Sequence, residues 1–471
     1  MKKVNSNFIN GRFIPSSGKE VLGIYNPANG LQIGEVLLGE EKDLLAAIES
    51  ASQAQTGFSL STKAQRMEYL QRLHDAVIQR IDDLQEVTVQ EYGATWQRSL
   101  WSNRYAAETF LYFKEILKDF EFESNIGKSR IFKVPVGVTA IMTAWNANSG
   151  SICVKLAATI AAGCTVVIKP SELSALQSQV LAECFQKAAL PAGVINMVHG
   201  SGDVLGTMLS THPAICKILF TGSTMVGKII AKNAVDTMKR VTLELSGKSP
   251  NIILDDADLD TAIPMAVNAS FMNNGQACIA GTRLLVPKGL LPRVKKIVLE
   301  TVAKLKVGDP RSESTDIGPL ASNKQYERIQ YYIGLGLKEG AQLLCGGPGH
   351  PEGLDQGFYV KPTVFCGVTN EMTIAREEIF GPVLCILTYE SEQEAIAIAN
   401  DTIYGLHAYV SSSDMDRASK VAAQINAGRV AINTLYHDAL APFGGFKQSG
   451  IGREGGIYGL QEQLETKVII G

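Results

Sequence analysis

The apolar and polar positions of this chain change rhythm three times. The opening stretch FINGRFIPSSGKEVLGIYNPANGLQIGEV, residues 8–36, interleaves short apolar runs with Gly, Pro and Asn, the pattern of short strands joined by turns. From Asp43 to about Lys118 the apolar positions recur at helical spacing and predict a layer of helices. From Val134 onward, short β-rich runs such as VGVTAIMTAW, TVVIKP, VINMVHG, ICKILFTG and VTLELSG alternate with helical stretches. A second block of the same kind begins at PNIILDDADLD (250–260). It continues through a helix over Ala262–Met272, the run TRLLVP, a helix around Leu291–Leu305 and further strand–helix units to about Val430.

Strands separated by helices must lie parallel and be covered on both faces, so the pattern predicts an α/β chain with two doubly wound domains. The expected division is 1–118 with 137–246, then 247–449. Residues 119–136 and 450–471 fall outside both blocks and predict a small extended element that pairs with itself or with another subunit. A length of 471 residues, 45% hydrophobic and 19% charged positions and 44 glycines agree with a soluble α/β enzyme. Lys plus Arg number 44 against 47 Asp plus Glu, a net charge of −3, which gives no footprint for nucleic acid or an anionic membrane. The N-terminal MKKVNSNFINGRF has no apolar core of the signal-peptide kind and no long apolar run follows, so the expected location is the cytosol.

Eight cysteines show neither CxxC spacing nor a histidine at zinc-site distance and read as reduced thiols. Seven sit in apolar surroundings and read as small buried hydrophobes. Cys278 differs, because NNGQACIAG places it in a polar, glycine-containing loop.

Several stretches carry candidate chemistry. GSGDVLG (200–206) spaces its glycines as GxGxxxG, a poor dinucleotide fingerprint that also reads as a turn. In KILFTGSTMVGKIIA the strand through Phe220 runs into Gly222 and Ser223 and then into a helix containing Gly227, which offers helix N-terminal N–H groups to a pyrophosphate or forms an ordinary strand–helix turn. KPSE places Lys169 and Glu172 at a strand's carboxyl end, where a carboxylate suits ribose hydroxyls and opposes a 2′-phosphate; Ser171 and Glu172 also suit a helix start. Glu244 in VTLELSG is a carboxylate on a buried strand and a candidate general base. Asn146 in TAWNANSG, like the backbone N–H of Cys278, is a candidate oxyanion donor or a local cap, and EEIFGPV sets Glu378 and Phe380 in a turn. Cys278 and Glu244 alone would also suit a thiol hydrolase or esterase, and the same scaffold could serve as a silent binding protein.

NPANG (26–30), AWN (144–146), KPSE (169–172), FTGS (220–223), LELSGKSP (243–250), NNGQAC (273–278), EEIFGPV (377–383) and PFGGFKQSG (442–450) together resemble the aldehyde dehydrogenase superfamily, in order and through nearly the whole chain. The resemblance implies an NAD-binding domain of Rossmann-like fold, a catalytic domain and an oligomerisation element, assembled as a homodimer or homotetramer. It implies Cys278 as nucleophile, Asn146 as oxyanion donor and Glu244 as the base that hydrolyses a thioester, with a small-molecule aldehyde as substrate. Trp145, Lys169, Ser171, Glu172, Phe220, Gly222, Ser223, Gly227, Leu245, Glu378 and Phe380 fall in the stretches that resemble the cofactor contacts, for NAD with NADP possible. Glu244 favours release of a free acid over transfer to coenzyme A. The active thiol is expected as a thiolate, stabilised by its amide surroundings and the bound cofactor. The chain departs from the family at Ala144, Ala147, Asn148 and Ser246. With Gly150, Ser151 and Val154, these predict a wide, weakly aromatic aldehyde pocket with polar input from Asn148 or His437.

Overall fold

The structure is a computed structural model describing residues 1–471. Four helices follow the N-terminal strands: α1 (Glu41–Phe58), α2 (Lys63–Ile78), α3 (Ile81–Tyr92) and α4 (Trp96–Asp119). Thr62 and Gln65 close the start of α2 reciprocally, each side chain meeting the other's backbone N–H, and Gly93 ends α3 at φ 80°, a value that suits glycine. α5 (Asn148–Ala162) is buried along almost its full length against α4 and α2 in one large apolar core.

The first large sheet has eight strands, in the order 450–451, 240–244, 217–221, 139–142, 166–169, 195–197, 6–9 and 12–15. Its five central strands are parallel, as the alternation predicts, while 450–451 and the N-terminal pair join antiparallel at the edges. Register sets Met142 beside Lys169 and Phe220, and Thr221 beside Glu244. The AWN, KPSE, FTGS and LELS stretches therefore leave the sheet from one row of carboxyl ends, where open α/β sheets bind ligands.

The second sheet has seven strands, 342–345, 363–366, 383–389, 283–287, 250–253, 407–411 and 429–432, parallel except at the 342–345 edge. Two small sheets complete the chain: 2–4, 32–37 and 21–25 near the N-terminus, and 464–470, 129–135 and 123–126. The second confirms the pairing of the extended segment with the C-terminal tail. Residues 450–451, grouped with that tail by sequence, instead form the edge of the first sheet, and the helix Gly456–Gln461 packs on α4 and α5. The last strand, Leu464–Ile470, is largely exposed, as is strand 123–126 of the same sheet. No helix is long and apolar enough to cross a membrane.

Candidate active site

Cys278 lies in a loop whose shape is set by backbone. Asn273, Asn274 and Gly275 take φ values of 53°, 59° and 72° in succession, a left-handed run that Asn and Gly tolerate best. Asn274 braces the turn: its amide donates to the carbonyls of Gly93 and Pro319 at 2.9 and 3.0 Å and accepts from the Gly318 N–H at 2.7 Å. A Cβ on Gly275 would lie 2.2 Å from the Gly381 carbonyl carbon, so this turn presses directly on the EEIFGPV loop. Gln276 donates to Tyr92 and accepts from the Ala321 N–H. The loop is thus held from the first domain and the second at once.

Asn146 reaches this loop from the end of strand 139–142. Its Nδ2 donates to the Gln276 carbonyl at 3.0 Å, and Asn273 returns a bond to the Asn146 carbonyl at 3.0 Å. One of the two Nδ2 protons is used in this way, and the other remains for an oxyanion. Trp145 stands edge-on to Phe380 at 5.5 Å, and Phe380 sits at φ 68°.

Burial pushes the Cys278 thiol up to about 12, with the negative charges of Glu378 and Glu244 adding to the rise and its own N–H and that of Ile279 opposing it. Without cofactor these surroundings therefore favour the thiol, and the expected thiolate depends on what a bound cofactor adds. Amide donors alone do not offset desolvation plus two carboxylates.

Glu244 is buried at the end of its strand with both carboxylate oxygens unpartnered. Burial and the neighbouring Glu454 raise its carboxyl well above the ordinary range, against the pull of Lys155, Arg453 and Arg429. A protonatable, unpaired carboxyl beside a thiol is suited to accept a proton. Lys155 is almost fully buried and pairs with Glu454 at 2.7 Å, while donating to Thr221 Oγ1 at 2.6 Å and Ser151 Oγ at 3.2 Å. Sequence reasoning missed this pair. The signal was present for Lys155, the one charged residue in the apolar helix SICVKLAATIAA, but nothing local marks Glu454.

The candidate cofactor residues gather along the carboxyl edge of the first sheet. Lys169 and Glu172 form an ion pair at 3.0 Å, and Lys169 also donates to the Pro170 carbonyl. Ser171 caps the short turn Glu172–Ser174, so the capping alternative holds for that residue. Gly202 of the GxGxxxG stretch lies beside Glu172, but in a π-helical turn, Gly202–Gly206, rather than a phosphate-binding loop. Ser223 caps the helix Thr224–Val235 by accepting from the Val226 N–H, and the first-turn N–H groups of Thr224 and Met225 remain open to an anion. Gly222 covers the buried Phe220 ring, and Gly227 packs on Leu245, where an added Cβ would come within 2.5 Å of a leucine methyl. That helix leaves Met225, Val226 and Ile229 exposed, and Val204 is exposed on the neighbouring turn. Open N–H groups beside an apolar strip and a ribose-suited carboxylate fit an adenosine pyrophosphate.

Glu378 is turned inward: its Oε1 accepts from the Gly247 N–H at 2.9 Å, and the Ser246 hydroxyl helps to hold its charge. Asn148 also departs from expectation. It is buried, its amide donates to Ser178 Oγ at 3.1 Å, and it faces the protein interior rather than an aldehyde. α4 supplies Trp101 and Tyr105 to one cavity, and His437 joins it to a second that holds Tyr409, Phe443 and Ile279. The cavities beside the Cys278 loop are therefore aromatic, from residues distant in sequence.

Residues 13–469 match the family model described as the aldehyde dehydrogenase family. A 3-succinoylsemialdehyde-pyridine dehydrogenase of a Pseudomonas species is 42% identical across 100% of this chain and 99% of its own length. Among solved structures, a variant of aldehyde dehydrogenase C from Pseudomonas syringae, complexed with NAD+ and octanal, has a TM-score of 0.98 at 42% identity, covering 99% of this chain and 96% of that one. Betaine aldehyde dehydrogenase of Staphylococcus aureus in complex with NAD+ has a TM-score of 0.95 at 35% identity, covering 99% and 94%. The chain belongs to the aldehyde dehydrogenase family.

Proposed function

We propose that this enzyme oxidises an aldehyde to a free carboxylic acid with NAD, using Cys278 as nucleophile, Asn146 and the Cys278 N–H as oxyanion donors, and Glu244 as base. The observation that carries the reading is the buried, unpaired Glu244 carboxyl set close enough to Cys278 to raise its thiol. Ionised Glu244 takes the Cys278 proton and releases it to solvent as sulfur adds to the aldehyde carbon, and the oxyanion of the resulting thiohemiacetal lies against the free Asn146 proton. A nicotinamide held by Trp145, Glu378 and Phe380 would accept the hydride from that carbon, so that Cys278 would carry a thioester. Glu244 then takes a proton from water as its oxygen attacks the thioester carbon, the carbon–sulfur bond breaks, and the acid leaves.

The cofactor contacts are assigned to Lys169, Ser171, Glu172, Gly222, Ser223 and Gly227 on the adenosine side, above Phe220 and Leu245, and to Trp145, Glu378 and Phe380 on the nicotinamide side. Lys169 is already engaged by Glu172, which leaves no free cation there for a 2′-phosphate and supports NAD over NADP. Glu378 must leave Gly247 to reach a ribose. We assign 1–118 with 137–246 to cofactor binding and 247–449 to catalysis. Assembly as a homodimer or homotetramer falls to 119–136 and the C-terminal strand, whose sheet exposes Ile126, Val468, Ile469 and Ile470. The enzyme is assigned to the cytosol, where its eight unpaired cysteines stay reduced. Neither the esterase nor the silent-scaffold alternative is favoured by the comparisons.

The test is NAD reduction with an aldehyde panel. Wild type turns over, and Cys278→Ser does not. Glu244→Gln gives a stoichiometric burst of NADH followed by turnover slowed roughly 100-fold or more. Wild-type turnover by Glu244→Gln would remove Glu244 as the base.

A further inference from the structure

Arg429, His437 and Tyr105 form a hydrogen-bonded chain across the joint between the two domains. The Arg429 guanidinium donates to the carbonyls of Pro442 at 2.7 Å and Asp438 at 3.1 Å and to that of Ala441, and its Nη1 lies 3.3 Å from His437 Nδ1. A guanidinium has only donors, so Nδ1 must accept and the imidazole proton sits on Nε2. Nε2 lies 3.3 Å from Tyr105 Oη and therefore donates to it. Burial and the charges of Arg429 and Arg98 push His437 down to about 4, which keeps the ring neutral, and burial pushes Tyr105 up to about 12. The Tyr105 hydroxyl thus receives one hydrogen bond, and its own proton has no acceptor in the chain.

That free donor lies in a flat wall. Trp101 and Tyr105 stack with ring planes 2° apart and centroids 5.6 Å apart, and His437 meets Tyr105 edge-on at 5.2 Å. Together with Tyr436 and His437 they line a cavity of about 430 Å³. A second cavity of about 360 Å³ shares His437 and Tyr436 and extends to Ile279, next to Cys278.

We propose that this mouth selects aldehydes whose far end is a flat ring bearing a hydrogen-bond acceptor. Trp101 and Tyr105 supply the stacking wall, the Tyr105 hydroxyl supplies the donor, and His437 and Arg429 are positioning residues that aim it. The proposal rests on the aldehyde-oxidation reading above. A plain alkyl chain would bury the Tyr105 proton without a partner, and sites built to hydrogen-bond a substrate discriminate against analogues that cannot.

Steady-state kinetics with NAD and three probes test it: pyridine-3-carbaldehyde (ring with acceptor), benzaldehyde (ring without) and hexanal (chain). Wild type is expected to favour the pyridine aldehyde over benzaldehyde by about tenfold in kcat/KM. Tyr105→Phe abolishes that preference, mainly through KM. His437→Phe, which keeps a ring edge but offers no donor, also reduces it. Melting temperatures within a few degrees of wild type confirm that each variant is folded. An equal loss on all three aldehydes in Tyr105→Phe, or a wild-type preference for hexanal, overturns the proposal while leaving aldehyde oxidation intact. Failure of wild type to reduce NAD with any of the three probes overturns both.

Discussion

The two walls around Cys278 are made of different material. The nucleophile loop is shaped by main chain, with three successive left-handed residues, a glycine pressed on Gly381 and an asparagine tied to three backbone groups. The aldehyde mouth is shaped by side chains, Trp101 and Tyr105 from α4 and His437 from a loop some 330 positions later. Main-chain geometry admits few residue types at each position, so it leaves a local signature. Side-chain geometry admits many, and the same pocket can be rebuilt with other residues for another aldehyde. In the proposed reading one wall carries the chemistry of the reaction, and the other carries the choice of substrate.

The sharpest way to break this contrast is at Gly275. Gly275→Ala places a methyl against backbone atoms at 2.2 and 2.3 Å in a positive-φ residue, with no flexible side chain to yield. A loss of about 3 kcal/mol or more in unfolding free energy is expected, together with activity on every aldehyde. Wild-type-like melting and turnover would mean that the main-chain wall is softer than described.

Lys155→Met probes the ground between the walls. It removes the partner of a buried carboxylate and leaves Glu454 uncompensated near Glu244, for an expected cost of about 3–5 kcal/mol in denaturant unfolding. A neutral result would show that Glu454 takes up a proton or reaches solvent once freed.

A smaller effect depends on pH. Glu244 is an acid whose folded-state value is raised, so above the ordinary carboxyl range the folded chain holds a proton that the unfolded chain has released. Its contribution therefore becomes more destabilising as pH rises from the unfolded value toward the folded one. Glu244→Gln removes this slope and should gain stability relative to wild type as pH rises above the ordinary carboxyl range. A constant offset across that rise would mean that Glu244 ionises normally.

The smallest effect is expected at Asn148. Asn148→Ala loses one buried hydrogen bond to Ser178, about 1 kcal/mol, and leaves KM for every aldehyde unchanged because the side chain faces inward. A KM change specific to polar aldehydes would put Asn148 back in the pocket.

The sequence made the fold legible to the extent that periodicity carries it. Alternating strands and helices gave both large sheets, and the motifs at strand ends gave the row formed by Asn146, Lys169, Ser223 and Glu244. What it did not show depends on partners far apart in the chain. Lys155 meets Glu454 across 299 positions, and His437 meets Tyr105 across 332. Asn148 departs from expectation because a helix start turns successive side chains to different faces, and two residues of offset from Asn146 send it into the core. The rise of the Cys278 thiol is also invisible locally: it comes from burial and from carboxylates at positions 378 and 244.

That protonated thiol also bears on survival of the enzyme under oxidative stress. Peroxides and electrophilic toxins react with thiolates far faster than with thiols, and damage beyond the sulfenic stage is largely irreversible. Burial raises the Cys278 thiol and so disfavours its thiolate, and alkylation by iodoacetamide is expected to be slow in the free enzyme at neutral pH.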